Sequence, residues 1–196
     1  RTTLMITRPT TSAMLLTTSL LLAYGLGEHE WARRLDAAVA TALTTAKSPD
    51  QGGTATTSKI PLYEKEKWWE GFDVVIHDEC FSDAKEPDWT ARILKPHKEG
   101  LPAVLVHCAM HCYRDGTDEW FKFCGVTSRR HGAGYPHEVL NRDAKHPIME
   151  KFGEKWANPA GELYWIEKVW DTAHPLAVAK NKEKGNDEVC VWTNEY

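Results

Sequence analysis

With 24 basic against 28 acidic residues and a formal net charge of −4, the 196-residue chain lacks the electrostatic footprint of a DNA- or RNA-binding protein. Its length and 42% hydrophobic content suit one domain with a sizeable core. Five cysteines, an odd number without repeated Cys-x-x-Cys pairs, argue against a disulfide framework, although a single Cys108–Cys112 bridge stays open.

The chain begins at Arg1 rather than Met, so it is expected to be part of a longer protein. Residues 1–18 read as an atypical N-terminal segment, a signal remnant or a disordered stretch, ahead of a domain at 19–196. Met14 to Ala23 has the outline of a signal-peptide apolar region but, at about ten residues, is too short to span a bilayer. The preferred alternative makes Ser19 to Ala23 the first strand, feeding the turn Tyr24-Gly25-Leu26-Gly27-Glu28-His29-Glu30. Trp31, Leu35, Val39 and Leu43 then recur at helical spacing, and Glu28 and Glu30 suit the positive end of that helix. Lys47 to Lys59 is a polar, Gly/Ser/Thr-rich crossover.

A short helix is expected around Tyr63 to Trp69, followed by a buried strand, Phe72 to Ile76, that ends in His77-Asp78-Glu79-Cys80. Pro87 near a first turn, with Trp89, Ile93, Leu94 and His97 on one face and a stop at Gly100, predicts a helix. The apolar, β-branched run Pro102 to Val106 predicts a central strand covered on both faces, parallel to the one at Val74. Ligands of open α/β sheets sit outside the carboxyl ends of the strands, so His77, His107, Cys108, His111 and Cys112 would share a working edge. Asp118 to Phe123 reads as a helical turn with Trp120 and Phe123 inward. Ser128 to His137 reads as a loop whose guanidinium forks and imidazoles suit an anionic or polyhydroxyl ligand, the alternative being a solvated basic loop. Strands at Glu138–Asn141, Glu162–Val169, Pro175–Ala179 and Glu188–Thr193 are expected to add antiparallel pieces to the sheet's edge.

The GEHE turn at Gly27 to Glu30, a strand ending His77-Asp78, the GLPAVLVH strand, the Ser-Arg-Arg-His-Gly loop at Ser128, His146-Pro147-Ile148 and Gly161-Glu162-Leu163-Tyr164-Trp165 occur in an order that resembles the ThuA-like (trehalose utilisation) family. The resemblance runs from about Gly25 to Tyr196. It implies the class I glutamine-amidotransferase-like superfamily and an α/β, flavodoxin-like three-layer sandwich with a mostly parallel central sheet and added edge strands. It also implies a further strand and a Gly-His motif beyond Tyr196, so that the domain would lack its C-terminal strand, and a link to disaccharides and their keto-sugar forms. Where relatives carry a Ser-His-Gly turn before GEHE, this chain has Ala23-Tyr24-Gly25.

The implied chemistry starts from the ketone of a 3-keto-glycoside, which acidifies the neighbouring C2 hydrogen; a base removes it and the C1 substituent leaves. Catalytic candidates are His107, Glu162 and His131. Glu28, His29, His77 and Asp78 are candidates to contact the sugar, with Arg130 to stabilise an enolate oxygen and Tyr164 and Trp165 to meet the ring. The cofactor is not fixed by the sequence. A divalent metal such as zinc would suit His107, His111 and Glu162, with His77 and His131 on the same expected rim. Cys108 follows its strand where amidotransferases of this fold carry a nucleophile, but no glycine-flanked elbow and no later His-x-Glu accompany it, so a glutamine amidotransferase is not expected. The expected partner is a small sugar or sugar derivative, with no nucleic acid and no membrane span. A secreted or periplasmic protein is favoured over a cytoplasmic one. The competing function is a non-catalytic carbohydrate-binding or scaffold domain of a larger secreted protein.

Overall fold

The computed structural model describes residues 4–6, 61–72 and 74–196. The expected strand at Ser19, the turn carrying Glu28 and His29, the helix through Trp31 and the crossover at Lys47 lie outside these residues. The described residues divide into two compact units, one reaching to Trp120 and the other formed by Phe121–Tyr196.

The first unit is built on a three-stranded parallel sheet in the order β1 (Leu4–Ile6), β2 (Val74–His77), β3 (Ala103–Leu105). Val75 pairs with Ala103 and His77 with Leu105. A parallel pair needs a long crossover, and here it is the helix α1 (Pro87–Lys98). Pro87 suits the first helical position, where its missing N–H leaves no bond unmade. Trp89, Ile93, Leu94 and His97 form the buried face. The helix ends in a Schellman arrangement: the N–H of Gly100, at φ 98°, donates to the His97 carbonyl at 3.0 Å, and the Leu101 N–H to the Pro96 carbonyl at 3.0 Å.

Two local expectations change in this unit. Among the described residues β2, not β3, is the central strand; β2 is buried at Val75, Ile76 and His77, while β3 is half-buried along its length. The expected helix at Tyr63 to Trp69 is a single 3-10 turn, Pro61–Glu64, followed by further turns. So short a stretch cannot repay helix nucleation, and it is held by side chains instead: Tyr63 and Trp68 meet edge to face at 4.7 Å, and the Trp68 indole donates to the Arg92 carbonyl at 3.1 Å.

The short helix α2 (Glu119–Cys124) contains the division between the units. In the second unit β4 (Val126–His131) pairs antiparallel with β7 (Tyr164–Val169), and β5 (Tyr135–Asn141), β6 (Lys155–Gly161), β8 (Ala173–Lys180) and β9 (Asp187–Asn194) form a four-stranded antiparallel sheet in the order β6-β5-β8-β9. Val139, Met149, Leu163, Leu176, Ala177 and Ala179 make its core, with Phe152 and Trp156 against them. Buried Glu188 on β9 accepts from the Ile166 N–H of β7 at 2.8 Å and from the Asn181 amide at 2.9 Å, tying the two sheets together.

A mostly parallel, flavodoxin-like three-layer sandwich is therefore not what the described residues form. They are mostly antiparallel, with two α-helices, α1 and α2. The reason lies in the connections: β8 and β9 are joined by a short turn, which returns a strand antiparallel, whereas the parallel β2 and β3 are joined through the helical crossover α1. The expected loop Ser128 to His137 shortens to residues 132–134, between the end of β4 and the start of β5. β6, Lys-Trp-Ala-Asn-Pro-Ala-Gly, went unforeseen because Asn158-Pro159 reads as a turn; Pro159 is tolerated because β6 is an edge strand. Among the described residues no helix is long and apolar enough to cross a membrane.

Candidate functional site

In the first unit the chemistry collects beyond the carboxyl ends of β2 and β3. The ladder continues past β3, with the Val106 N–H donating to the His77 carbonyl at 2.9 Å, so the segments that follow the two strands are neighbours. After β3 the chain turns sharply: His107 takes the left-handed conformation at φ 49°, rare for a side chain with a Cβ, and opens the 3-10 turn His107–His111. A 3-10 helix has three residues per turn, so Cys108 and His111 eclipse one another on one side of it. Cys80, three residues past β2, meets them there. The Cys80 Sγ lies 3.7 Å from the His111 Nε2, and the Cys80, Cys108 and His111 ligand atoms all fall within 4.8 Å of one another. His107 stands beside this group, its Nδ1 3.2 Å from the Cys108 Sγ.

His77 does not share that rim; its side chain is wholly buried. Its Nδ1 lies 2.9 Å from the Glu79 Oε1 and its Nε2 3.1 Å from the His97 Nε2. Tyr63 and Tyr113 donate to the same Glu79 oxygen at 3.3 and 3.0 Å. Burial, joined by the neighbouring His77, lowers the His97 imidazole to about 4, while burial and the adjacent Glu79 push both tyrosine hydroxyls well above their ordinary range. Asp78 is buried as well.

In the second unit β4 and β7 place His131 opposite Tyr164. The His131 Nε2 is 3.5 Å from the Glu162 Oε2, and its ring lies 5.0 Å from that of Tyr164. The His131 Nδ1 is 2.8 Å from the Gly132 carbonyl oxygen, which can only accept, so Nδ1 carries a hydrogen. The Glu162 carboxylate facing Nε2 makes an ion pair with it whenever the imidazole is protonated. Glu162 keeps 42% of its side chain exposed and can reach a solvent-borne ligand. On the same two strands, the Arg130 guanidinium lies over the Trp165 ring at 4.6 Å, and the Lys184 ammonium lies 5.0 Å from that ring. Arg129 pairs with Glu167.

The sequence-predicted residues thus fall into two groups. His107 and His111 belong to the first unit, with the buried His77 and Asp78; His131, Glu162, Arg130, Tyr164 and Trp165 are gathered in the second. Glu28 and His29 lie outside the described residues. Of the imidazoles proposed as metal ligands, His111 has ligand-type neighbours in its own unit, and these are thiols. Cys80, at the end of the β2 segment, and Cys108, on the expected working edge, were not among the expected metal ligands. The signal was present: each cysteine closely follows the carboxyl end of a strand, on two parallel neighbours.

Among proteins of known structure, a chain from Parabacteroides merdae provisionally described as ThuA-like is similar with a TM-score of 0.60 and 16% identity, over 98% of this chain and 74% of its own. Another from Bacteroides uniformis, described in the same way, gives a TM-score of 0.55 and 20% identity over 67% of this chain and 58% of its own. This chain thus spans little more than half of the latter. No family profile and no curated protein sequence matches. At these identities the likeness concerns the fold alone, and the protein has a ThuA-like fold.

Proposed function

We propose that the protein acts on keto-sugar forms of disaccharides, removing the proton next to the ketone and cleaving the glycosidic bond. The observation that carries this reading is the contact of His131 with Glu162, Nε2 to Oε2 at 3.5 Å, with Arg130 next to His131 on β4. The ThuA-like fold supports it at the level of the family's sugar link. Glu162 takes the C2 hydrogen as a proton. The electron pair of that C–H bond becomes the enolate, and Arg130 offsets the charge on its oxygen. Collapse of the enolate breaks the C1–O bond, and the departing oxygen takes the Nε2 proton of His131, leaving an enone and an alcohol. Addition of water to the enone completes a net hydrolysis.

Incubating the chain with 3-keto-trehalose in heavy water separates the steps, because deuterium enters C2 whenever the proton is removed, whether or not the bond breaks. Glu162→Gln should lower exchange by about 10²- to 10⁴-fold. His131→Asn should slow cleavage more than exchange. Exchange at the wild-type rate in Glu162→Gln refutes the assignment. Saturable binding of the keto-sugar without exchange or cleavage would favour the carbohydrate-binding alternative.

A further inference from the structure

We infer that Cys80, Cys108 and His111 form a zinc site in the first unit, independent of the keto-sugar chemistry proposed for the second. The three ligand atoms fall within 4.8 Å of one another, and they come from two separate segments of chain. Tetrahedral zinc with Zn–S near 2.3 Å and Zn–N near 2.0 Å sets its ligand atoms about 3.5 to 3.8 Å apart. The Cys80 Sγ to His111 Nε2 distance of 3.7 Å already matches such an edge.

The backbone that carries these ligands is braced. The Phe81 N–H donates to the Cys112 Sγ at 3.1 Å, the Cys112 thiol donates to the Glu79 carbonyl at 3.1 Å, and the Tyr113 N–H donates to the Phe81 carbonyl at 3.0 Å. Buried Cys112 thus fastens the segment holding Cys80 to the end of the turn holding Cys108 and His111, and is not itself a ligand. The left-handed His107 that starts the turn sets its direction. Its Nδ1, 3.2 Å from the Cys108 Sγ, is placed to donate to a thiolate and orient it, the role that groups around a metal's own ligands commonly play. None of the five cysteines forms a disulfide, as ligation requires.

Two thiolates and one imidazole are a soft-to-borderline set, which suits zinc and excludes magnesium or calcium. Three protein ligands leave a fourth tetrahedral position, and because Cys80 is solvent-exposed that position is open to water or a small ligand.

The test is titration of the full, reduced chain with zinc against a chromophoric chelator, and with cobalt(II) as a spectroscopic probe. One equivalent should bind, and the cobalt form should show thiolate-to-metal charge-transfer absorption with the intense visible bands of a tetrahedral site. Cys80→Ser and Cys108→Ser should each weaken zinc at least 10-fold and lower the charge-transfer band, and the double variant should abolish it; Cys190→Ser should change nothing. His107→Ala should keep the stoichiometry and weaken affinity. Because Cys80 is exposed, Cys80→Ser should fold as the wild type does, checked by its melt. Absence of the band from the wild type, or its persistence in the double variant, overturns the proposal. So does a Cys80–Cys108 disulfide whose reduction restores no metal uptake.

Discussion

The buried His97 makes the first unit acid-sensitive in a way that can be calculated. Its imidazole is 4% exposed and held at about 4 against an ordinary 6.5, chiefly by burial and secondly by His77, with the Leu101 carbonyl and Glu79 pulling the other way. The folded state therefore resists a proton that the unfolded state accepts. Above pH 6.5 His97 is neutral in both states and its contribution is fully present. Between pH 6.5 and 4 the unfolded chain binds more protons, so stability falls as pH falls. A depression of this size corresponds to about 3 kcal/mol once both pKa values are passed, of which about 2 kcal/mol is lost between pH 7 and pH 5. The assay is urea unfolding at pH 7, 6 and 5, followed by the fluorescence of Trp68 and Trp120. His97→Gln keeps a donor for the Leu101 carbonyl and an acceptor for His77 but cannot titrate; it should start less stable at pH 7 and lose about 2 kcal/mol less than the wild type on going to pH 5. Equal losses in the two proteins would refute the argument, since the wild-type slope would then come from other groups.

Trp120 is fully buried, donates its indole N–H to the Ala109 carbonyl at 2.7 Å and meets Tyr113 at 4.5 Å, so Trp120→Ala should cost about 3 to 5 kcal/mol, whereas Arg142→Ala, which breaks an exposed pair with Asp187, should cost under about 1 kcal/mol; equal shifts in melting temperature would contradict this. Gly125 ends α2 at φ 83°, and an added Cβ would come within 2.8 Å of the Asn194 Cβ, whose amide caps the Lys122 and Phe123 carbonyls at 2.9 and 3.0 Å. Gly125→Ala should therefore destabilise the second unit by about 1 to 3 kcal/mol, measured by denaturant unfolding, and a neutral result would mean that Asn194 can move without loss.

What the sequence made legible follows from how local each signal is. α1 was readable because Pro87, a four-residue apolar spacing and Gly100 all act within its own length, and the parallel pairing of β2 and β3 followed from that helix. The general architecture was not, because the ThuA-like resemblance carried a parallel sheet across a region whose short links dictate antiparallel return. The Ser128 to His137 stretch was legible in part: its glycines do lie in a loop, at residues 132–134, but the arginines before them belong to the exposed end of β4. The partners of Glu162 depend on register, which no local signal specifies. Its observed neighbour is His131, while the Arg130 guanidinium rests on Trp165.

The same limit explains why His77 looked like a rim residue. Strand position correctly places it at the carboxyl end of β2, but its role is decided by where its two nitrogens find partners. The Leu101 carbonyl at 2.8 Å accepts only, so the His97 Nδ1 carries a hydrogen. His97, held neutral, has therefore an accepting Nε2, and the His77 Nε2 must be the donor across their 3.1 Å contact. The His77 Nδ1 meets the Glu79 Oε1, which both tyrosines also reach, and the Tyr63 hydroxyl lies 3.3 Å from that same nitrogen, so both nitrogens of His77 are engaged inside the core. A wholly buried ring with both nitrogens committed supports the β2 end as a framework and not as a ligand contact. Three residues further on, the chain emerges at Cys80, and there the solvent-facing chemistry of the first unit begins.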